Sequence, residues 1–107
     1  MVALSPLAVT FSAESLAGIR VPTLVYAAER DRFLVPRFHA QWVVSNVPGA
    51  EFRNVPNAWH FAFMDAPGNA IPTEDGDLAA DPPGFDRAAF LARLGAELCA
   101  FFDEALR

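Results

Sequence analysis

Basic residues are scarce in this sequence. Eight Lys and Arg residues stand against thirteen Asp and Glu residues, which gives a net charge of −5, and the basic residues form no cluster. Proteins that bind nucleic acids or anionic membrane surfaces do so through clustered positive charge. The composition therefore excludes both classes of partner.

Long apolar runs and cysteine pairs are also missing. No stretch reaches the roughly 18 apolar residues of a membrane-spanning helix, and the start Met-Val-Ala-Leu-Ser-Pro lacks the basic end and long apolar region of a signal peptide. The single cysteine, Cys99, cannot form an internal disulfide, and its position beside Leu98 and Phe101 predicts a buried, small apolar residue. These absences leave the cellular location open.

Apolar residues, by contrast, are abundant. Hydrophobic residues make up 53% of a chain of 107 residues, and ten of them are Phe. The length predicts a single domain over residues 1–107, which is short for an α/β enzyme. So much apolar surface on a small domain suggests that another polypeptide covers part of it.

Three segments have the pattern of β-strands. Residues 1–4 form a short apolar run that Ser5-Pro6 stops, and residues 51–55 form another strand candidate. Residues 23–28 are continuously apolar, which is typical of a strand covered on both faces of a parallel sheet. The predicted fold is α/β, with about three mostly parallel strands.

Three segments have helical patterns. A short helix capped by Ser12 or Thr10 and ended by Gly18 is predicted between the first two strands. A second helix is predicted from Pro36 to Pro48-Gly49, and a long C-terminal helix is predicted after an Asp86 cap. The apolar stripes expected to face the sheet are Phe38, Trp42, Val43 and Val47 on the second helix and Phe90, Leu94, Leu98, Phe101, Phe102 and Ala105 on the last.

Residues 65–84 are rich in Pro, Gly and acidic residues and predict a long loop. Such a loop is either a functional lid or a mobile segment, and the sequence leaves both alternatives open. The acidic pair Asp75 and Asp77 lacks the ordered ligands and final Glu of an EF-hand calcium site, so a solvated loop is favoured.

Two polar residues follow neighbouring strands. Asp31 comes just after the second strand, and His60 follows the third strand 29 residues later. The ends of parallel strands meet at one sheet edge, where open α/β sheets place their chemistry. A carboxylate there can orient an imidazole that acts as a general base. A zinc site would need His39 as well as His60 and a carboxylate at an unsupported spacing, so no metal or cofactor is expected.

The sequence resembles the C-terminal part of an α/β-hydrolase, and more narrowly the dienelactone-hydrolase-like proteins. The resemblance spans the whole chain and is carried by the contexts of Asp31 and His60, by Asp-Pro-Pro-Gly-Phe-Asp-Arg-Ala at 81–88 and by Phe101-Phe102. It implies that Asp31 and His60 are the acid and base of a Ser-His-Asp triad acting on a small-molecule acyl substrate. Trp59, Phe61 and Phe63 then become candidate walls of an acyl pocket, with ordinary core packing as the alternative.

The nucleophile of that family is missing from this chain. It is a serine in a Gly-x-Ser-x-Gly turn that precedes the Asp and His, and none of Ser5, Ser12, Ser15 and Ser45 has this setting. Cys99 comes after the His, and Trp59 replaces a glycine common beside the catalytic His. We therefore expect a hydrolase segment whose nucleophile lies in a longer parent protein. The alternative is a stand-alone, non-catalytic binding or assembly module. Self-association through the edge strand at residues 1–4 is also expected.

Overall fold

Three parallel strands form one sheet in a computed structural model that describes residues 1–74 and 76–107. The strands are β1 (Val2–Leu4), β2 (Leu24–Ala28) and β3 (Glu51–Val55), and their spatial order is β1-β2-β3. Val2 pairs with Leu24, and Leu24 pairs with Glu51. The three predicted strands and the α/β class are confirmed.

The central strand β2 is covered on both faces of the sheet. All five of its residues are buried, and their side chains alternate between two apolar clusters. Val25 and Ala27 belong to the cluster on one face, and Leu24, Tyr26 and Ala28 belong to the cluster on the other. The sheet is therefore the middle layer of three.

Two short helices pack against the Val25 face. Helix α1 (Ala13–Ala17) begins at Ser12, whose side chain and that of Ser15 cap each other's backbone N–H groups, and it ends at Gly18, as the sequence predicts. Helix α2 (Ala40–Asn46) buries Ala40 and Val43.

The predicted start of the second helix at Pro36 is wrong. Residues Pro36–Phe38 form only a 3-10 turn, and the backbone of His39, with φ −122° and ψ −89°, separates this turn from α2. The His39 Nδ1 accepts a hydrogen bond from the Ala8 backbone N–H at 3.1 Å. Phe38 consequently points away from the sheet and is 64% exposed, so it does not belong to the apolar stripe.

The long helix α3 (Arg87–Ala105) covers the other face of the sheet. The Asp86 side chain caps it by accepting the Ala89 N–H, as predicted. Phe90 and Leu94 are buried against the sheet. The Tyr26 hydroxyl of β2 donates to Glu97 Oε2 at 2.6 Å and so ties the helix to the central strand.

Two expectations about α3 are wrong. Cys99 is exposed, because at about 3.6 residues per turn it lies on roughly the opposite side of the helix from Phe90. Phe102 is 41% exposed, whereas its neighbour Phe101 packs against the core. Each of these residues lies next to a core position in sequence, but the helix rotates it away from the sheet.

The predicted loop at residues 65–84 contains a small hairpin. Strand β4 (Pro72–Thr73) pairs antiparallel with β5 (Gly76–Asp77). No helix within residues 1–74 and 76–107 has the length and apolar character needed to cross a membrane.

Candidate active site

Asp31 lies where β2 leaves the sheet. A turn after Ala28 places the Asp31 N–H within 3.1 Å of the Ala28 carbonyl, and the Asp31 side chain is completely buried. Its Oδ1 accepts the backbone N–H groups of Phe33 at 2.9 Å and Leu34 at 2.8 Å. These two donors hold the carboxylate in one orientation and leave Oδ2 for another partner.

His60 lies beyond the adjacent strand β3 and begins a 3-10 turn, His60–Phe63. The two loops that follow β2 and β3 stay joined beyond the regular sheet. The Glu29 N–H donates to the Val55 carbonyl at 3.0 Å, and the Arg30 N–H donates to the Ala58 carbonyl at 2.9 Å. Backbone hydrogen bonds therefore join the two loops close to the point where the two side chains meet.

The Asp31 and His60 side chains are in direct contact. His60 Nδ1 lies 2.6 Å from Asp31 Oδ2, as expected from their positions after neighbouring parallel strands. We assign the ring proton to Nδ1, because a carboxylate oxygen accepts hydrogen bonds. Nε2 then keeps its lone pair and can accept a proton, which is the arrangement of an oriented general base.

Two aromatic rings, those of Phe33 and Phe61, pack against the imidazole of His60. The ring centroids of Phe33 and Phe61 lie 5.7 Å and 4.9 Å from that of His60. The imidazole also lines a cavity of about 150 Å³, whereas the buried Asp31 does not. The cavity is lined by Arg30, Arg32, Phe33, Trp59, His60, Phe61, Gly76, Asp77, Leu78 and Ala80.

Of the three aromatic residues predicted to form a pocket, two line this cavity. Trp59 and Phe61 do so, and the Arg32 guanidinium lies 5.8 Å from the centre of the Trp59 ring. Phe63 does not, because its ring packs between Tyr26 and Phe90 in the core below α3. For Phe63 the alternative of core packing is the correct one.

Comparison with protein-family models, curated proteins and solved structures finds no match for this chain. The function of the chain is therefore inferred from the geometry of the site.

The sequence patterns did not predict several of the residues that line the cavity. Arg30, Arg32 and Phe33 surround Asp31 in sequence, so their proximity to the site followed from that of Asp31. Residues 76–80 come from the long loop, and no periodicity marks them as part of a cavity. Gly76, Asp77, Leu78 and Ala80 line the same cavity as His60, so the loop forms part of the site.

The four serines of the chain are engaged away from His60. Ser12 and Ser15 cap α1, Ser45 donates to the Gln41 carbonyl, and Ser5 Oγ accepts the Ala28 N–H at 3.4 Å. Cys99 is on the outer face of α3. Within residues 1–74 and 76–107, no group of three or more His, Cys, Asp or Glu side chains is arranged to hold a metal ion.

Proposed function

We propose that this chain contributes the acid and base of a serine α/β-hydrolase that cleaves an ester, lactone or similar acyl substrate. Asp31 orients the imidazole, and His60 Nε2 takes the proton of the attacking hydroxyl and later gives it to the leaving group. The nucleophile and the oxyanion-hole donors come from polypeptide outside these 107 residues.

The observation that carries the proposal is the contact between a fully buried carboxylate and a partly exposed imidazole. The Asp31 side chain has no exposed surface, whereas that of His60 is 22% exposed and lines the cavity. A histidine that served only to fill the core would not need a buried carboxylate at 2.6 Å behind it and an open cavity in front of it. Burial of a carboxylate is costly unless hydrogen bonds compensate for it, and His60 supplies one of the three that Asp31 accepts.

The cavity supports an acyl substrate through its lining. Three aromatic side chains, Phe33, Trp59 and Phe61, line the cavity together with His60. At about 150 Å³ the cavity is smaller than the roughly 300–1,000 Å³ of common ligand sites, which fits a short acyl group or one half of a shared cavity. A shared cavity agrees with a nucleophile supplied from elsewhere.

The test begins with the reading frame upstream of Met1. We expect that frame to encode a Gly-x-Ser-x-Gly turn, and the protein expressed with it to hydrolyse p-nitrophenyl acetate. His60→Ala should then reduce the rate by several orders of magnitude, since the base and nucleophile act as a unit. His39→Asn is the matched control, because the asparagine oxygen can replace Nδ1 as acceptor of the Ala8 N–H. It should leave the rate unchanged.

Two results would contradict the proposal. One is a folded His60→Ala protein that keeps the full rate of hydrolysis. The other is an upstream frame with no nucleophile together with no esterase activity, which would favour the non-catalytic module.

A further inference from the structure

Arg87 is a buried cation at an unfavourable place in the sequence. It is the first residue of α3 and is only 4% exposed. The N-terminal end of a helix carries positive partial charge, so its dipole disfavours an arginine there. Burial of the guanidinium also costs free energy unless specific partners compensate for it. The position of Arg87 therefore calls for an explanation from its contacts.

The guanidinium of Arg87 forms a forked ion pair with the carboxylate of Asp81. Its Nε lies 3.1 Å from Oδ1 and 3.0 Å from Oδ2, and its Nη2 lies 2.9 Å from Oδ1. The same group donates to two backbone carbonyls, that of Ala80 at 3.3 Å and that of Met64 at 3.5 Å. Such a forked, charge-assisted arrangement fixes the direction as well as the distance of its partners.

These partners lie at the two ends of the long loop. Met64 directly follows the 3-10 turn that begins with His60, and Ala80 lines the cavity. Between them the loop is tied to itself through Asp77, whose Oδ1 accepts the N–H groups of Ile71 and Ala79 at 2.7 Å and 2.9 Å. Asp77 therefore joins two parts of the loop, and Arg87 joins the end of the loop to the residue that follows the histidine-bearing turn.

We propose that Arg87 and Asp81 are positioning residues for the cavity. Their ion pair holds in place the loop residues that line the cavity together with His60, which are Gly76, Asp77, Leu78 and Ala80, and thereby limits access to the imidazole. This inference rests on the proposed function insofar as the cavity is a substrate site, but its test uses no catalysis. Failure of the hydrolysis assay and failure of this test are therefore distinguishable.

The test measures access to the cavity in the 107-residue chain. Diethyl pyrocarbonate modifies exposed imidazoles, so the rate at His60 relative to His39 reports local opening. Acrylamide quenching of Trp59 fluorescence measures access to the same cavity. The Trp42→Phe substitution leaves Trp59 as the single tryptophan for this measurement. Arg87→Met keeps the aliphatic volume and removes every donor, and we expect it to raise His60 modification and Trp59 quenching several-fold.

Two further variants separate positioning from simple loss of stability. Arg87→Lys keeps the charge without the fork and should restore protection in part. Arg93→Met is the control, because Arg93 lies on the same helix, contacts Glu97 at 3.8 Å and does not line the cavity. It should change neither readout. His39 serves as the internal reference, since global unfolding would expose both histidines.

Unchanged His60 modification and Trp59 quenching in a folded Arg87→Met protein would overturn the proposal. If Arg87→Met raises modification of both histidines because it unfolds, Asp81→Asn decides the matter. That variant leaves the guanidinium its two carbonyl partners but removes the charge pair. Selective opening at His60 would then support the positioning role, and full protection of His60 would refute it.

Discussion

The carboxylate of Asp31 lies completely buried behind the imidazole of His60, 2.6 Å from its Nδ1. The backbone donors of Phe33 and Leu34 occupy the other carboxylate oxygen. Only one orientation of the carboxylate satisfies all three contacts, and this orientation determines which ring nitrogen of His60 carries the proton. The protonation pattern of the ring is therefore a direct test of the site.

The two histidines should have opposite tautomers at neutral charge. His60 should carry its proton on Nδ1, whereas His39 should carry it on Nε2 because its Nδ1 accepts the Ala8 N–H. In Asp31→Asn, the side-chain oxygen can still accept from Phe33 and Leu34, so the amide NH₂ would face His60 and favour the Nε2 tautomer. Nitrogen chemical shifts of the labelled rings measure both states. An unchanged His60 tautomer in a folded Asp31→Asn protein would contradict the assignment.

Asn57 joins the two loops of the site and has a left-handed backbone, with φ 57°. Its side chain accepts from Arg30 Nη1 and donates to the Pro83 carbonyl, both at 2.9 Å. Asn57→Gly should lower the free energy of unfolding by about 1 kcal/mol through the lost hydrogen bonds. Asn57→Ala should cost about 1 kcal/mol more, because alanine is strained at positive φ. Urea unfolding measures both, and an alanine variant as stable as the glycine variant would exclude the strain argument.

The single tyrosine of the chain, Tyr26, should lose its phenol proton at an unusually high pH. Burial, together with the hydrogen bond and negative charge of Glu97, raises the pKa of Tyr26 to about 12 from about 10. The folded state thus holds the phenol proton more tightly than the unfolded state. The resulting contribution to stability is present below pH 10 and is lost as the pH rises through about 12.

Tyrosinate absorbance reports this titration without ambiguity, because the chain has one tyrosine. Glu97→Gln removes the negative charge and should lower the midpoint toward the ordinary value. Glu104→Gln, near the end of the same helix and paired with Arg107, is the control. A native protein that titrates at the ordinary pKa of tyrosine would refute the role of Glu97.

The two outer strands of the sheet differ in chemistry. Edge strand β3 exposes the charged side chains of Glu51 and Arg53, which discourage pairing with another sheet. Edge strand β1 has no charged side chain and ends with the exposed Leu4. The segment that follows it contains three more exposed apolar residues, Leu7, Val9 and Phe11. We therefore expect association through β1.

Sedimentation across a concentration series should show the average mass of the chain rising with concentration. Leu4→Lys places a charge at the β1 edge and should reduce this association. Phe52→Lys is the matched control, because Phe52 on β3 has the same 37% exposure as Leu4. A monomer at every concentration would rule out association through β1.

The strands and the Asp31–His60 contact could be predicted from the sequence because each depends on local patterns. A continuous apolar run specifies a buried parallel strand, and parallel strands bring the residues that follow them to one edge. Cys99, Phe102 and Phe38 were misplaced for other reasons. Phe38 lies outside the apolar stripe because α2 begins only at Ala40. Cys99 and Phe102 are apolar residues beside core positions, and the rotation of α3 turns them away from the sheet.

The cavity wall at residues 76–80 could not be predicted at all. Its position depends on the contact between Asp81 and Arg87 and on the hydrogen bonds of Asp77, none of which has a periodic signature. The direction of the Phe63 ring could not be predicted from the sequence either, although Phe63 lies in the short turn that begins at His60. Its ring turns toward Tyr26 and Phe90, whereas Phe61 two residues earlier lines the cavity.

The strand order β1-β2-β3 follows the order of the chain, and this has a consequence for folding kinetics. Each strand pairs with its nearest predecessor in sequence, and the paired residues Val2 and Leu24, and Leu24 and Glu51, are 22 and 27 residues apart. The entropy cost of closing such segments rises only slowly with their length. The long helix α3 then docks on the finished face, burying Phe90 and Leu94. Pairing of consecutive strands keeps the contacts of the sheet more local than in a sheet whose neighbouring strands are distant in the chain, which favours faster folding.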